Sequence, residues 1–185
     1  IIAKVRKLVP LPESNSNENI LWPERQYKIK VKKILKMTKA YNRVPRTIVW
    51  TAPDDGTCGV SLNTSTKYIL AGAVVKGKAY LTSCSYVAEW YSLTPKQQKG
   101  FKRLYSQGCG CKINPCPWYL DGSCHASENI CQWTTTLQGP DCQGALSVCL
   151  RHPGGGCDWS RNHAYTHCMQ QRASTDRLVR RRPVS

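Results

Sequence analysis

The chain has 185 residues and a formal net charge of +16, with 41% hydrophobic residues, eleven Cys, six Trp and only two Met. That apolar content belongs to a folded globular chain, and no apolar run approaches the roughly 20 residues of a membrane-spanning helix, so disorder and such a span are both excluded. All cysteines fall between Cys58 and Cys168, a usage typical of secreted proteins stapled by disulfides.

Ile1-Ile2-Ala3-Lys4-Val5 has neither a charged n-region nor a long apolar h-region, so the chain reads as a mature or trimmed form. Ile1–Lys7 is the first strand candidate. Pro10 to Asn19 is polar and turn-rich, a long exposed hairpin loop. From Arg25 to Lys36, Tyr27, Ile29 and Val31 alternate with Lys28, Lys30 and Lys32, the period of a strand with one buried face. The apolar phase slips after Lys33, which predicts a bulge there. Thr47–Thr51, Lys67–Val75 and Lys78–Ser83 complete a set of five strands. Thr94-Pro95-Lys96-Gln97 then supplies a capping box and a proline at the first helical position, with Leu93, Gln97, Phe101, Leu104 and Tyr105 along one side. Five short strands with one packed helix predict an all-β-dominated fold, a small Greek-key barrel of the OB type.

The chemistry changes near Gly108. Residues 1–108 carry nineteen Lys and Arg against six Asp and Glu, and two cysteines, Cys58 and Cys84; residues 109–185 carry eight against five, and nine cysteines. The expected modules are therefore 1–108, a disulfide-rich subdomain over 109–170, and a basic, disordered tail over 171–185. The charge makes polyanions expected neighbours, with sulfated glycans or acidic matrix components favoured over nucleic acid in an oxidising compartment. Trp50, Tyr68 and Tyr80 suit stacking on bases but are read as barrel filling. Asn63-Thr64-Ser65 is a glycosylation sequon at Asn63.

Cys109, Cys111 and Cys116 lie close together, and His163 and His167 stand at i, i+4 beside Cys168. The histidine spacing suits zinc if a helix carries it. Structural zinc sites usually show C-x₂₋₄-C spacing in pairs, whereas only Cys111 and Cys116 have it, and disulfides consume thiolates in a secreted setting, so the reading is no metal and no cofactor, with the histidines on the surface. Catalysis has no support either: all four histidines lie after Cys109 and no nucleophile motif or phosphate-cradling loop occurs.

Trp50-Thr-Ala-Pro53, Cys58-Gly-Val-Ser-Leu62, Tyr68-Ile-Leu-Ala-Gly72, Gln107-Gly-Cys109-Gly-Cys111-Lys-Ile113, Cys116-Pro117 and Cys149-Leu-Arg-His-Pro-Gly-Gly-Gly-Cys157-Asp-Trp159 together resemble the tissue inhibitors of metalloproteinases. The resemblance runs from about Ile2 to about Arg161. It implies an OB-type, netrin-like domain followed by a small disulfide-rich subdomain, secretion to the extracellular matrix, and extracellular metalloproteinases as partners. It also implies bridges Cys111–Cys157, Cys116–Cys124 and Cys131–Cys149. In this family the α-amino group and carbonyl of an N-terminal Cys-x-Cys segment chelate the protease's zinc. Cys58, Cys84 and Cys109 match the partners of that segment's cysteines; either the segment is lost ahead of Ile1, which three orphaned cysteines favour, or the protein naturally lacks it, and without it only weak protease contact is expected. Asp54, Asp55, Gly56, Thr57, Cys58 and Gly59 match the second part of the protease-contact ridge.

Cys142 and Cys168 have no counterpart in the family pattern. Pairing with each other and linkage to neighbouring chains both stay open, with linkage favoured because Cys168 precedes the expected mobile tail. Linkage supports a second reading, a non-inhibitory structural or adhesive matrix protein on the same scaffold. The basic tail from Arg177 through Arg180, Arg181 and Arg182 to Pro183 differs from the acidic tail with which family members bind latent proteases, and argues against that partnership.

Overall fold

The computed structural model describes residues 1–10, 24–117, 124, 127–135 and 139–180; the expected loop over 10–19 and the tail beyond 180 fall almost wholly outside them. The chain divides into two compact units, Ile1–Ser92 and Leu93–Ser185, ahead of the compositional change at 108.

The first unit is a seven-stranded sheet. Its strands are β1 (Ile2–Val9), β2 (Arg25–Lys33), β3 (Ile48–Thr51), β4 (Lys67–Ala71), β5 (Ala73–Val75), β6 (Lys78–Leu81) and β7 (Tyr86–Glu89), in the order β5-β6-β3-β2-β1-β4-β7. The alternation of β2 does what its period requires: Tyr27 and Ile29 are buried while Lys28, Lys30 and Lys32 are exposed. Ala3, Val5, Val49, Tyr68, Leu70 and Leu81 join Tyr27 and Ile29 in one core. Between β1 and β2 the register skips Lys32 and, on the other strand, Arg6, so the bulge lies one residue before the predicted Lys33.

Three expectations need correction. Seven strands are present rather than five, and no pairing between β5 and β7 closes the ladder among the described residues. The run Lys67–Val75 is two strands, because Gly72 interrupts it where a Cβ would drive into the Tyr80 carbonyl oxygen. Tyr86–Glu89 is a further strand, antiparallel to β4.

The second unit begins with α1 (Pro95–Lys99), which runs on as a π-turn over Gly100–Leu104 and a 3₁₀ turn over Tyr105–Gly108. The predicted capping box is formed: Gln97 N–H donates to Thr94 Oγ1 at 3.1 Å and Thr94 N–H to Gln97 Oε1 at 2.9 Å. The Thr94 hydroxyl also donates to the Ala145 carbonyl at 2.6 Å, tying α1 to α2 (Cys142–Leu146). Strands β8 (Lys112–Cys116) and β9 (Ile130–Thr134) pair in parallel, and β10 (Cys149–Arg151) pairs antiparallel with β11 (Cys157–Trp159). Around the buried Cys131, Cys149 and Trp159 the apolar cluster is small, so covalent links supply much of the stability. Four are present: Cys111–Cys157, Cys116–Cys124, Cys131–Cys149 and Cys142–Cys168.

The expected disordered tail is corrected over residues 171–180, the remainder lying outside the described residues. Helix α3 runs from His163 to Arg180. Gln170, Gln171, Arg172, Ala173 and Leu178 are good helix formers, and no glycine or proline interrupts them. The bridge at Cys168 and the buried Arg172 hold the helix down.

Candidate functional site

The segment leaving β3 builds a short, self-locked loop. Asp54 caps a 3₁₀ turn over Asp55–Thr57 by accepting from Thr57 N–H at 2.9 Å, and its own N–H points back to Thr57 Oγ1 at 3.4 Å. The Asp54 carbonyl accepts from Gly59 N–H at 2.7 Å, and the Asp55 carbonyl from Cys58 N–H at 3.0 Å. Asp54, Asp55, Gly56 and Cys58 are exposed, whereas Gly59 is buried. A Cβ on Gly59 would lie 2.5 Å from the Ala52 carbonyl oxygen and 2.6 Å from that of Asp54, so only glycine fits. Behind the loop the buried Thr51 hydroxyl accepts from Val60 N–H at 2.8 Å. These bonds tie both ends of the loop to its own backbone and to β3, which favours a fixed ridge over a mobile connection.

Cys58 stands at φ 62°, in the left-handed region, and its carbonyl accepts from Ser83 N–H at 3.0 Å. That bond brings the ridge against the turn Thr82–Ser85, which is closed by Ser85 N–H to the Thr82 carbonyl at 2.8 Å and which carries Cys84. Cys58, Cys84 and Cys109 are exposed free thiols. The adjacency of Cys58 and Cys84 has no signal in the sequence, because it is made by backbone atoms across 25 residues. Ile1 is committed to the sheet: its nitrogen donates to the Leu70 carbonyl at 2.8 Å, and Leu70 N–H to the Ile1 carbonyl at 2.9 Å.

The surplus pair is resolved inside the chain. Cys142 is wholly buried and Cys168 is 7% exposed, and they are bridged to each other. Linkage to neighbouring chains through them is thereby corrected, because a buried disulfide has no thiol to offer.

The outer face of the sheet holds a second feature. Lys4 stands directly opposite Lys30 on β2 and Lys67 on β4, and Lys7 stands opposite Lys28. Like charges directly opposite one another oppose pairing, so the sheet carries this row at a cost. Lys67 Nζ lies 4.9 Å from the Trp90 ring centroid. Of the aromatics considered for stacking, Tyr68 is buried with its hydroxyl 3.1 Å from Glu89 Oε1, and Trp50 is covered by Lys78, whose Nζ is 4.0 Å from the ring centroid and pairs with Glu24. Tyr68 thus lies in the core, and Lys78 occupies one face of Trp50. A cavity of about 280 Å³ in the same unit is lined by Ile1, Tyr41, Leu70, Val74 and Leu81. Burial pushes the Tyr41 phenol up, and its oxygen has no hydrogen-bond partner among the described residues. Among those residues no group of three or more His, Cys, Asp or Glu is placed to hold a metal ion, and no helix is long and apolar enough to cross a membrane.

A model of the tissue inhibitor of metalloproteinase family matches residues 1–159. The chain belongs to that family. It is 35% identical over 138 residues to metalloproteinase inhibitor 3 of Xenopus laevis, and equally so to that of Gallus gallus, the alignments covering 71% of this chain and 63% and 64% of those proteins. Metalloproteinase inhibitor 2 of Canis lupus familiaris is 31% identical over 166 residues, 85% of this chain and 73% of that protein. The match to the inhibitor 3 relatives thus spans less than two thirds of their length. Tissue inhibitors of metalloproteinase are inhibitors rather than enzymes. The strand-rich first unit and the disulfide-rich second one are consistent with the family's netrin-like fold.

Proposed function

We propose that this chain is the scaffold of a secreted metalloproteinase inhibitor, an OB-type netrin-like domain that presents Asp54–Gly59 as one part of a protease-contact ridge. The other part is a Cys-x-Cys terminus clamped by Cys58 and Cys84, with Cys109 taking a further cysteine of the same segment. One observation carries the reading: the ridge that carries the exposed free Cys58 is bonded through the Cys58 carbonyl to Ser83 N–H, in the turn that carries the exposed free Cys84. A terminus bridged at both points is held rigid, so little freedom is lost when it enters a cleft. Its amino group then meets the open coordination position that a zinc protease keeps for water or substrate. The four disulfides support an oxidising, extracellular setting.

The test titrates a zinc metalloproteinase catalytic domain with protein isolated from its source and, separately, with the 185-residue chain. The source protein is expected to suppress turnover at one inhibitor per enzyme. The 185-residue chain is expected to be weaker by at least about 30-fold, the factor carried by one lost binding hot spot of about 2 kcal/mol. Absence of inhibition by the source protein, or equal inhibition by the two, overturns the reading.

The lysine row favours a second partner, a sulfated glycan or an acidic matrix component, whose anions offset the repulsion between Lys4, Lys30 and Lys67. Lys28→Ala/Lys30→Ala is expected to elute from immobilised heparin at clearly lower salt than the parent, and Lys99→Ala close to it. Equal elution of all three removes the sheet face from the account.

Asn63 is exposed beside the left-handed Ser65, and its Nδ2 donates to Glu89 Oε1 at 3.2 Å. A linked glycan leaves one N–H on that nitrogen to keep the bond. Protein from a glycosylating source is therefore expected to lose mass at the peptide containing Asn63 on treatment with a peptide N-glycosidase; an unmodified peptide contradicts this.

A further inference from the structure

We propose that His163 and His167 form a two-imidazole chelate for a borderline divalent transition ion, Cu²⁺, Ni²⁺ or Zn²⁺. The sequence offers the i, i+4 spacing with Cys168 as a third donor, conditional on a helix. The structure supplies the helix and withdraws the sulfur, because His163 and His167 lie one turn apart on α3 and Cys168 is bridged to Cys142. Both histidines are exposed, and their rings lie nearly parallel, 10° apart in plane, with centroids 6.4 Å apart. Residues four apart on a helix share a face, and this is the spacing with which helical histidine pairs hold zinc.

The turn between them is fixed at both ends. Asn162 caps it, accepting from Tyr165 N–H at 3.0 Å through its side chain and from Thr166 N–H at 2.9 Å through its carbonyl. The Asn162 side-chain amide in turn donates to the Leu146 carbonyl at 2.7 Å. On the other side the Cys142–Cys168 bridge locks the residue next to His167. The backbone needs no reordering to bind, and only two exposed side chains rotate until their nitrogens converge at the ~2.0–2.1 Å of a zinc–imidazole bond. Ala164, Thr166, Gln170 and Gln171, the neighbours of the pair three or four residues away on the helix, carry no charge, and the nearest cation in sequence, Arg161, stands ahead of the helix. Two ligands leave further coordination positions to water, and imidazole suits copper, nickel and zinc, with copper bound tightest. Only neutral imidazole ligates, so the ion is released in acid.

The experiment is a zinc chloride titration of the untagged, oxidised chain after Cys58, Cys84 and Cys109 have been alkylated, followed by calorimetry and by imidazole ¹H–¹⁵N spectra. One zinc per chain is expected, shifting the ring nitrogens of His163 and His167 and not those of His152. His163→Ala and His167→Ala each weaken binding about ten-fold or more, the scale on which metal sites respond even to loss of a supporting partner; His152→Ala leaves it unchanged. Alanine is the best helix former, so these variants keep α3. No saturable uptake up to millimolar zinc, or uptake that survives both substitutions, overturns the proposal.

Discussion

Replacing Cys142 and Cys168 together by alanine is expected to cost the second unit about 2–4 kcal/mol and to release most of α3, since a bridge of this loop length constrains the unfolded chain by that amount. The two cysteines lie 26 residues apart, and the bond joins α2 to the long helix α3. Its noncovalent hold is modest: Tyr165 packs against the small apolar cluster, the Asn162 cap bonds the Leu146 carbonyl, and among its described side chains only Cys168 and Arg172 are buried. Alanine is the informative substitution, because serine would bury a hydroxyl where Cys142 has no exposure at all. Amide hydrogen exchange reads the effect directly, with protection over His163–Arg180 falling while β1 and β2 keep theirs. Retained protection in α3 would show that noncovalent packing suffices and that the bridge is ornamental.

Gly59→Ala has the largest expected effect on the ridge. Both atoms met by the added carbon belong to the backbone, Ala52 O at 2.5 Å and Asp54 O at 2.6 Å, so no side chain can swing aside. The strand end or the 3₁₀ turn must move, and overpacking of this kind costs about 1–3 kcal/mol. Movement at Gly59 also breaks its bond to the Asp54 carbonyl and shifts Cys58, and with it the contact to Ser83. Lower thermal stability of the first unit and a sharp loss of metalloproteinase inhibition by the source protein are expected together. Gly56→Ala is the control. Its Cβ would meet only Asp54 Oδ1, at 3.3 Å, the end of a side chain that can yield. Equal behaviour of the two variants would mean that the locked geometry of the loop is irrelevant to function.

Much of the first unit is legible in the residues because one face of its sheet is buried. The lysine alternation of β2 can be satisfied in only one way, and Thr94-Pro95 with Gln97 specifies a helix start by hydrogen bonds that span three residues. Strand β7 escapes because Tyr86-Val87-Ala88-Glu89 is four residues long and none is fully buried, leaving no period to detect. The break at Gly72 escapes for a different reason. It is imposed by the approach of Tyr80 from another strand, which no local pattern records. Residues 171–180 look like part of a charged tail when arginines are counted, yet they continue a helix that a covalent bond joins to Cys142. The exposed loop residues of the site are visible by resemblance, whereas the contact that makes them a site, Ser83 N–H to the Cys58 carbonyl, is a product of the fold. Likewise, the sequence contains the lysines but not the register that sets Lys4 between Lys30 and Lys67.

The pairing of Cys142 with Cys168 also separates the two functional accounts. Intermolecular linkage through those residues was the main support for a structural matrix role, and the buried bridge removes it. The thiols that remain exposed are Cys58, Cys84 and Cys109, and two of them flank the ridge itself.

A non-reducing peptide map of the protein from its source, with free thiols alkylated before digestion, tests this most directly. The inhibitor account predicts that Cys58 and Cys84 are each recovered in a disulfide with a cysteine of a Cys-x-Cys segment lying ahead of Ile1. Recovery of both as alkylated free thiols, or in a bridge to each other, would contradict it, since no zinc-directed terminus would then be held at the ridge.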